Sequence, residues 1–89
     1  MEHVTTWNVE IIIGEQERST RAEARLRTSA GSMRTGVGNA RRNPRDRDVP
    51  EIGDELAVAR ALADLSHQLI EATAEDIEAI TRRPAHLSE

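Results

Sequence analysis

The feature that most limits the fold of this chain is a pair of alternating polar and apolar stretches in its first third. In the first stretch the apolar positions are Trp7, Val9, Ile11 and Ile13. In the second, small or apolar residues stand between charged ones at Thr20, Ala22, Ala24 and Leu26. Alternation with a period of two is typical of a strand with one buried face. The short polar segment 14–19 between the stretches therefore predicts a β-hairpin.

A third, weaker strand is predicted over residues 33–40. Ser29-Ala-Gly-Ser32 marks the turn before it, and Gly36 and Gly38 within it indicate a bulge or a close approach of another backbone. The polar segment 41–49 follows, where Asn43-Pro44 favours a turn. The expected product is a three-stranded antiparallel meander.

The second half of the chain changes to a helical period. Apolar residues recur with that period at Leu56, Val58, Ala59, Leu62, Ala63, Leu65, Leu69 and Ile70. Asp48 with Glu51 three residues later is typical of a capping box, and Asp54 is an alternative start. These signals predict a long helix that ends near Ala72.

A second, short helix is predicted after the long one. Thr73 and Asp76 repeat the capping pattern, and Ile77 and Ile80 form a short apolar face. Pro84 cannot continue a helix, so this helix is expected to end before it.

These elements predict a single α+β domain over residues 1–89, in which a three-stranded antiparallel sheet is followed by a long and a short helix packed on one face. The core is expected to contain Trp7, Val9, Ile11, Ala22, Ala24, Leu26, Val37, Leu56, Leu62, Leu65 and Leu69. A chain of 89 residues buries a modest share of its surface, so its own core is small. A homodimer is expected for that reason, and because Ile12 stands on the polar side of the first strand.

The charge of the chain is unevenly distributed. Residues 18–47 contain nine arginines against Glu23 and Asp46, whereas the rest of the chain is strongly acidic and the net charge is −4. All twelve basic residues are arginine, whose planar guanidinium suits bidentate contacts to phosphate or carboxylate. A genome rich in G and C produces the same preference for arginine. The preference for arginine therefore does not by itself distinguish anion binding from the base composition of the genome.

The location of the protein is predicted from what the sequence lacks. No apolar run approaches the ~20 residues needed to span a bilayer, and the first six residues lack the basic start and apolar centre of a signal peptide. The chain has no cysteine, which fits a reducing compartment. We expect a cytoplasmic protein without membrane contact.

Several linked motifs resemble a family of small actinobacterial proteins that includes the mycobacterial dormancy-associated translation inhibitor. They are Thr20-Arg-Ala-Glu-Ala-Arg-Leu26, Gly36-Val-Gly38, Asn43-Pro44, Val49-Pro-Glu-Ile-Gly-Asp-Glu-Leu56, Ala59-Arg-Ala-Leu62 and Asp76-Ile-Glu-Ala79. The resemblance covers residues 4–84 and implies a fold like the double-stranded-RNA-binding domain. It also implies a role in dormancy or low oxygen, through binding to ribosomes in the manner of hibernation factors.

Two features of the chain depart from that RNA-binding fold. Such domains place basic residues at the start of the major helix to contact phosphates, whereas here that start contains Glu51, Asp54 and Glu55. The leading helix of the fold is also missing, because the chain begins with the first strand. Any RNA-binding surface must therefore lie elsewhere.

Arginines supply the candidate RNA-binding residues. Arg41, Arg42, Arg45 and Arg47 crowd the segment after the third strand, and Arg21, Arg25, Arg27 and Arg34 are expected on an exposed sheet face. The alternative is a solvated surface whose arginines pair with Glu10, Glu23 or the acidic helix of a partner subunit. Base stacking is not expected, because Trp7 is the only aromatic residue besides the histidines and fits better in the core.

Catalytic, metal and cofactor sites are not expected. Gly36-x-Gly38-x-x-Arg41 lacks the helix that a dinucleotide-binding loop requires. His67 and Glu71, at i and i+4, are more typical of a surface pair than of a metal site. No serine has the spacing to a histidine and an acid that an activated nucleophile needs. We therefore expect a non-enzymatic stress or dormancy protein that binds RNA or the ribosome and limits translation. The alternative is a homodimeric protein-interaction module without a nucleic-acid role, and neither needs a small-molecule substrate.

Overall fold

The computed structural model describes residues 2–43, 45 and 47–87. Its elements are strands β1 (Val9–Glu15), β2 (Ser19–Arg27) and β3 (Met33–Arg41) and the helix α1 (Pro50–Thr81). The three strands form an antiparallel sheet in the order β1-β2-β3, and α1 packs on one face of it. The α+β class and the meander are therefore confirmed. The predicted turn at Asn43-Pro44 lies partly outside the described residues, because Pro44 is not among them.

Both strand pairs keep one register along their whole length. Val9 lies opposite Leu26 at one end of the first pair, and Ser19 lies opposite Arg41 at one end of the second. In the turn between β2 and β3, Gly31 has a φ of 89°, which glycine adopts at no steric cost. The unbroken register of β2 and β3 shows that the bulge predicted at Gly36 and Gly38 does not form.

The other prediction for these two glycines, a close approach of another backbone, is confirmed. A Cβ atom on Gly36 would lie 2.2 Å from the carbonyl oxygen of Ala61, and one on Gly38 would lie 2.2 Å from that of Ala57. Both alanines are fully buried. Glycine on the strand and alanine on the helix therefore let the backbone of α1 lie directly against β3.

The position of α1 makes the core smaller than predicted. The core contains Ala22, Ala24, Leu26, Ala40, Ala57, Ala61 and Leu65. Leu69 is partly buried against this core. The core predictions are therefore confirmed for five residues: Ala22, Ala24, Leu26, Leu65 and Leu69.

The remaining core predictions are wrong. Trp7, Val9, Ile11, Leu56 and Leu62 are all exposed. Val37 is half-buried on the opposite face of the sheet, because it alternates with Gly36 and Gly38. The alternation in β1 correctly predicts a strand, but α1 packs mainly on β2 and β3 and scarcely contacts β1. The apolar side chains of β1 consequently have little to pack against.

The second half of the chain forms one helix of 32 residues where two were predicted. Thr73 does not cap a new helix, since its hydroxyl donates a hydrogen bond to the carbonyl oxygen of Leu69 at 2.8 Å. A threonine bonded in this way stays within a continuous helix. Beyond this point the helix is largely exposed, and Ile80 is 82% exposed.

The two ends of α1 also differ from expectation. Val49 occupies the N-cap without a capping hydrogen bond from its side chain, and Pro50 stands in the first turn. Asp48 does not form the predicted capping box and instead lies 3.7 Å from the Nε of Arg42. Arg82 ends the helix in the left-handed conformation, and its N–H donates to the carbonyl oxygen of Glu78.

Side chains of α1 close the outer edge of β3. Arg60 donates to the carbonyl oxygen of Asn39 at 2.7 Å, Asp64 accepts from the N–H of Val37 at 2.9 Å, and Gln68 donates to the carbonyl oxygen of Thr35 at 2.8 Å. The three helix residues are four positions apart, which is a rise of about 6 Å, and the three strand residues are two positions apart, which is about 6.6 Å. Each successive helix side chain therefore reaches the next outward-facing residue of β3. These contacts satisfy main-chain groups that an edge strand otherwise leaves open.

Within the described ranges, no helix combines the length and the apolar character that crossing a membrane requires.

Candidate nucleic-acid interface

The sheet face opposite α1 presents all three arginines of β2. Thr20, Ala22, Ala24 and Leu26 are buried under the helix, so the residues between them point to the other side. Arg21, Arg25 and Arg27 are exposed there, and Arg41 at the end of β3 is exposed on the same side. We call these four residues the arginine face. From Arg21 to Arg27 it extends about 20 Å, at ~3.3 Å per residue.

Glu23 of β2 lies between the arginines of the arginine face, and Glu10 of β1 lies opposite Arg25 on the same face. Glu23 accepts a hydrogen bond from Arg25 at 2.6 Å and one from Arg21 at 3.4 Å. The hydrogen bond from Arg25 is the main cause that lowers the pKa of Glu23 below its ordinary value. This arrangement confirms part of the alternative prediction, in which arginines of the sheet pair with Glu23. Ion pairs at an exposed surface are weak, so both arginines remain available to a stronger anionic partner.

A cleft lies at one end of the sheet, between the β1–β2 turn, the end of β3 and the start of α1. Its volume is about 870 Å³, and its basic side chains are Arg18, Arg41, Arg42 and Arg47. The N–H of Arg42 donates to the carbonyl oxygen of Arg18 at 2.9 Å, which continues the pairing of β2 with β3 beyond both strands. We call this cleft the hairpin cleft. The structure thus brings three of the predicted arginines together with Arg18.

Arg18 belongs to this group although the sequence analysis did not assign it a role. It lies in the β1–β2 turn, far from Arg42 along the chain. The register of β2 and β3 places the two residues opposite each other. The sequence signal that could have identified Arg18 is the turn at residues 28–32. Pairing β2 with β3 residue by residue from that turn places Arg18 opposite Arg42.

The hairpin cleft also has an acidic side. Glu15, Glu17 and Asp48 line it, and Asp54 lies close to Glu15. A hydrogen bond with the carboxyl group of Asp54 is the main cause that raises the pKa of Glu15, and the charge of Asp54 raises it further. An anionic ligand therefore fits only the arginine side of the cleft.

The remaining predicted site residues lie apart from this cluster. Arg45 is exposed in the segment after β3, where its N–H donates to the side-chain oxygen of Asn43 at 3.0 Å. Arg34 does not share the face of Arg25 and Arg27, because it lies opposite Leu26 and points to the helix side. The expectation that Arg34 belongs to the exposed basic face is therefore wrong. The period of two separates it from Met33 and Thr35, which do face that side.

The predicted surface pair on α1 lies apart from the arginines. His67 and Glu71 form an exposed pair on α1, with 3.0 Å between Nε2 and Oε1, as their spacing predicts. No group of three or more histidine, aspartate or glutamate side chains has an arrangement suited to a metal ion within these residues.

Comparisons with known proteins place the chain in a family. Residues 5–86 match the profile of the Rv2632c-like family. The chain is 56% identical over 81 residues to the uncharacterized protein Mb1767 of Mycobacterium bovis, covering 91% of this chain and 85% of that one. It is 51% identical over 84 residues to Rv2632c of Mycobacterium tuberculosis, covering 93% and 89% of the two chains.

A solved structure agrees with the sequence comparison. The crystal structure of Rv2632c superimposes with a TM-score of 0.84 at 50% identity, covering 94% of this chain and 100% of that one. Identity at this level over nearly the whole length shows common descent as well as a common fold. The chain therefore belongs to the Rv2632c-like family.

Proposed function

We propose that the protein binds structured RNA through the arginine face and the basic side of the hairpin cleft, without catalysing a reaction. The observation that supports this proposal is the row of exposed arginines on the sheet face away from α1. Arg21, Arg25, Arg27 and Arg41 project from that face, and the arginines of the hairpin cleft lie at the end of the same sheet. A surface of this kind attracts a polyanion and releases its counterions on binding.

Arginine without aromatic neighbours favours contact with phosphate rather than with bases. Trp7 is the only tryptophan, tyrosine or phenylalanine of the chain, and it precedes β1, a strand that carries none of the four residues of the arginine face. Recognition of single strands relies on stacking of bases on several aromatic rings, whereas helical RNA is bound through phosphates and shape. We therefore infer that the ligand is double-helical RNA, including ribosomal RNA, bound with little sequence preference.

A role in limiting translation during stress or dormancy is part of the same proposal. It comes from the resemblance to the dormancy-associated translation inhibitor, and it requires binding to the ribosome. The order β-β-β-α is consistent with the proposed likeness to the double-stranded-RNA-binding domain. The acidic start of α1 means that phosphate binding uses a different surface from the helix start of that domain.

Binding to a short RNA duplex, measured by fluorescence anisotropy across a salt series, tests the proposal. The affinity is expected to fall linearly on a double-logarithmic plot against salt, as it does when arginines neutralise phosphates. The double variant Arg27→Glu/Arg41→Glu reverses both ends of the arginine face and is expected to abolish binding. Co-sedimentation with ribosomes under the same salt conditions tests the ribosomal ligand.

The control for the double variant changes the same charge elsewhere. Arg82→Glu/Arg83→Glu alters the net charge equally at the end of α1, and its RNA binding is expected to fall much less. Equal losses in the two variants would show that net charge alone governs binding. No association of the unmodified protein at low salt would refute an RNA-binding function.

A further inference from the structure

The outer edge of β1 is open, and the centre of the strand carries apolar side chains on both faces of the sheet. Every residue of β1 is exposed, and β1 has a neighbouring strand on one side only within the described chain. Val9, Ile11 and Ile13 project towards the side of α1, and Ile12 projects towards the arginine face. Natural edge strands that stay unpaired are usually protected by charged residues, especially lysine, or by proline, a bulge or short length. The charged residues of β1, Glu10 and Glu15, lie towards its two ends, and its centre has no charge, proline or bulge.

The hydrogen-bonding pattern shows which main-chain groups of β1 point to the open edge. The N–H of Gln16 donates to the carbonyl oxygen of Ser19, so these two residues form a hydrogen-bonded pair. Bonded and non-bonded pairs alternate along an antiparallel ladder. Glu10, Ile12 and Gly14 therefore bond to β2. Val9, Ile11, Ile13 and Glu15 direct their N–H and C=O groups outward.

Among the residues that the structure describes, the sheet has one such edge. At the other edge, Arg60, Asp64 and Gln68 of α1 occupy main-chain groups of β3. Association through β1 therefore ends after two copies, because each copy uses its single open edge. A chain with two open edges forms fibres by the same contact, whereas this one forms a closed dimer.

We propose that β1 pairs antiparallel with β1 of a second copy, with the two Ile12 residues facing each other across a two-fold axis. In this register Ile11 lies opposite Ile13 of the second copy, and Glu10 lies opposite Gly14. Residues with outward main-chain groups face one another, as an antiparallel ladder requires. The register pairs β-branched residues across the strands, which is stabilising, and places no glutamate opposite another.

This self-complementarity identifies a second copy as the occupant of the edge. The three consecutive isoleucines Ile11, Ile12 and Ile13 stand at the centre of β1, so reversing the strand places isoleucine against isoleucine throughout the middle. The dimer has one continuous sheet, with both helices on one side and the two arginine faces on the other. The proposal goes beyond RNA binding and does not depend on it.

Single-cysteine variants test both the contact and its register, because the chain has no cysteine of its own. Residues of a non-hydrogen-bonded pair have Cα atoms about 4.5 Å apart, within the range that a disulfide spans. Ile12→Cys is therefore expected to form a disulfide-linked dimer under mild oxidation. Glu10→Cys is the matched control on the same face. Two copies of residue 10 are separated by about four residues along the strand, roughly 14 Å, and are expected not to link.

Light scattering and a charged variant complete the test. The unmodified protein is expected at about twice the chain mass of 9.9 kDa. Ile12→Lys places like charges opposite each other and is expected to weaken self-association at least about tenfold, with unchanged circular dichroism. A monomeric unmodified protein, a dimer unaffected by Ile12→Lys, or Glu10→Cys linking as fast as Ile12→Cys would each overturn the proposal.

Discussion

The carboxylate of Asp64 accepts the outward N–H of Val37 at 2.9 Å and so joins the middle of α1 to the free edge of β3. Gln68, one turn further along, donates to the same carboxylate at 3.3 Å. The contact is partly buried, where a main-chain N–H without an acceptor is costly. This helix side chain therefore has two effects, since it holds α1 in register with β3 and closes an edge to other chains.

Removing this carboxylate is expected to destabilise the domain. Asp64→Ala leaves the N–H of Val37 without its acceptor, and we expect a loss of about 1–3 kcal/mol in the free energy of unfolding. Asp64→Asn keeps an acceptor oxygen at the same place and is expected to lose less. Urea denaturation measures both variants. A loss below about 0.5 kcal/mol for Asp64→Ala would contradict a structural role for this contact.

The close approach of α1 to β3 predicts a large effect of a single methyl group. Gly38→Ala places a Cβ atom against the backbone of Ala57 and Ala61, which a side-chain rotation cannot relieve. We expect a destabilisation of about 1–3 kcal/mol, the range for overpacked cores. Gly14→Ala is the control, because its Cβ atom would lie 4.0 Å from the carbonyl oxygen of Arg21, which is an ordinary van der Waals distance. Equal stability of the two variants in urea denaturation would show that α1 lies further from the sheet.

Two leucines of α1 separate the buried from the exposed side of the helix. Leu65 is buried and Leu62 is 42% exposed, although the helical period places both on one apolar stripe. Leu65→Ala is expected to cost about 2–5 kcal/mol, as for other core leucines. The same change at Leu62 is expected to cost much less. Chemical denaturation at low protein concentration makes the comparison, and a larger loss at Leu62 would refute this orientation of α1.

The pair of Glu15 and Asp54 predicts a dependence of stability on pH. The pKa of Glu15 is raised above its ordinary value of 4.5 in the folded protein, so its stabilising contribution is present at low pH and is lost as the pH rises through the folded pKa. Glu15→Gln removes the repulsion and is expected to raise the melting temperature at neutral pH, with little gain below the ordinary pKa.

Thermal unfolding at both pH values checks this expectation. Glu17→Gln serves as the control, because it removes the same charge two residues away, in the β1–β2 turn, and leaves the contact between Glu15 and Asp54 in place. A gain from Glu15→Gln that is equal at low and neutral pH would exclude repulsion between these carboxyl groups as its cause.

The position of Glu23 predicts a gain of RNA affinity by substitution. Its carboxylate holds Arg21 and Arg25, so Glu23→Gln leaves two more positive charges available to phosphate. We expect the affinity for an RNA duplex at low salt to rise severalfold, and its dependence on salt to become steeper. Glu75→Gln, which removes the same charge from an exposed position on α1, is expected to change the affinity much less. An unchanged affinity for Glu23→Gln would place the RNA away from this face.

Much of the local structure could be predicted from the sequence. The alternation in β2 correctly identified its buried side, because charged residues at every second position leave only one face suited to burial. Gly36 and Gly38 correctly indicated a close backbone approach. The limits of the helical half were less predictable, because Thr73 can either cap a new helix or bond back to Leu69 within an existing one. These alternatives differ little in free energy, so the surroundings decide between them.

The placement of the elements depended on contacts that have no local signal. The sequence by itself determined three strands, their order and a helix with an apolar stripe. Only the tertiary structure decided that α1 lies over β2 and β3, because the two glycines admit a helix backbone there. That choice exposes the apolar residues of β1, closes the edge of β3 and separates Arg34 from the arginine face. It also brings Arg18 to Arg42, since burial and proximity depend on residues that are distant along the chain.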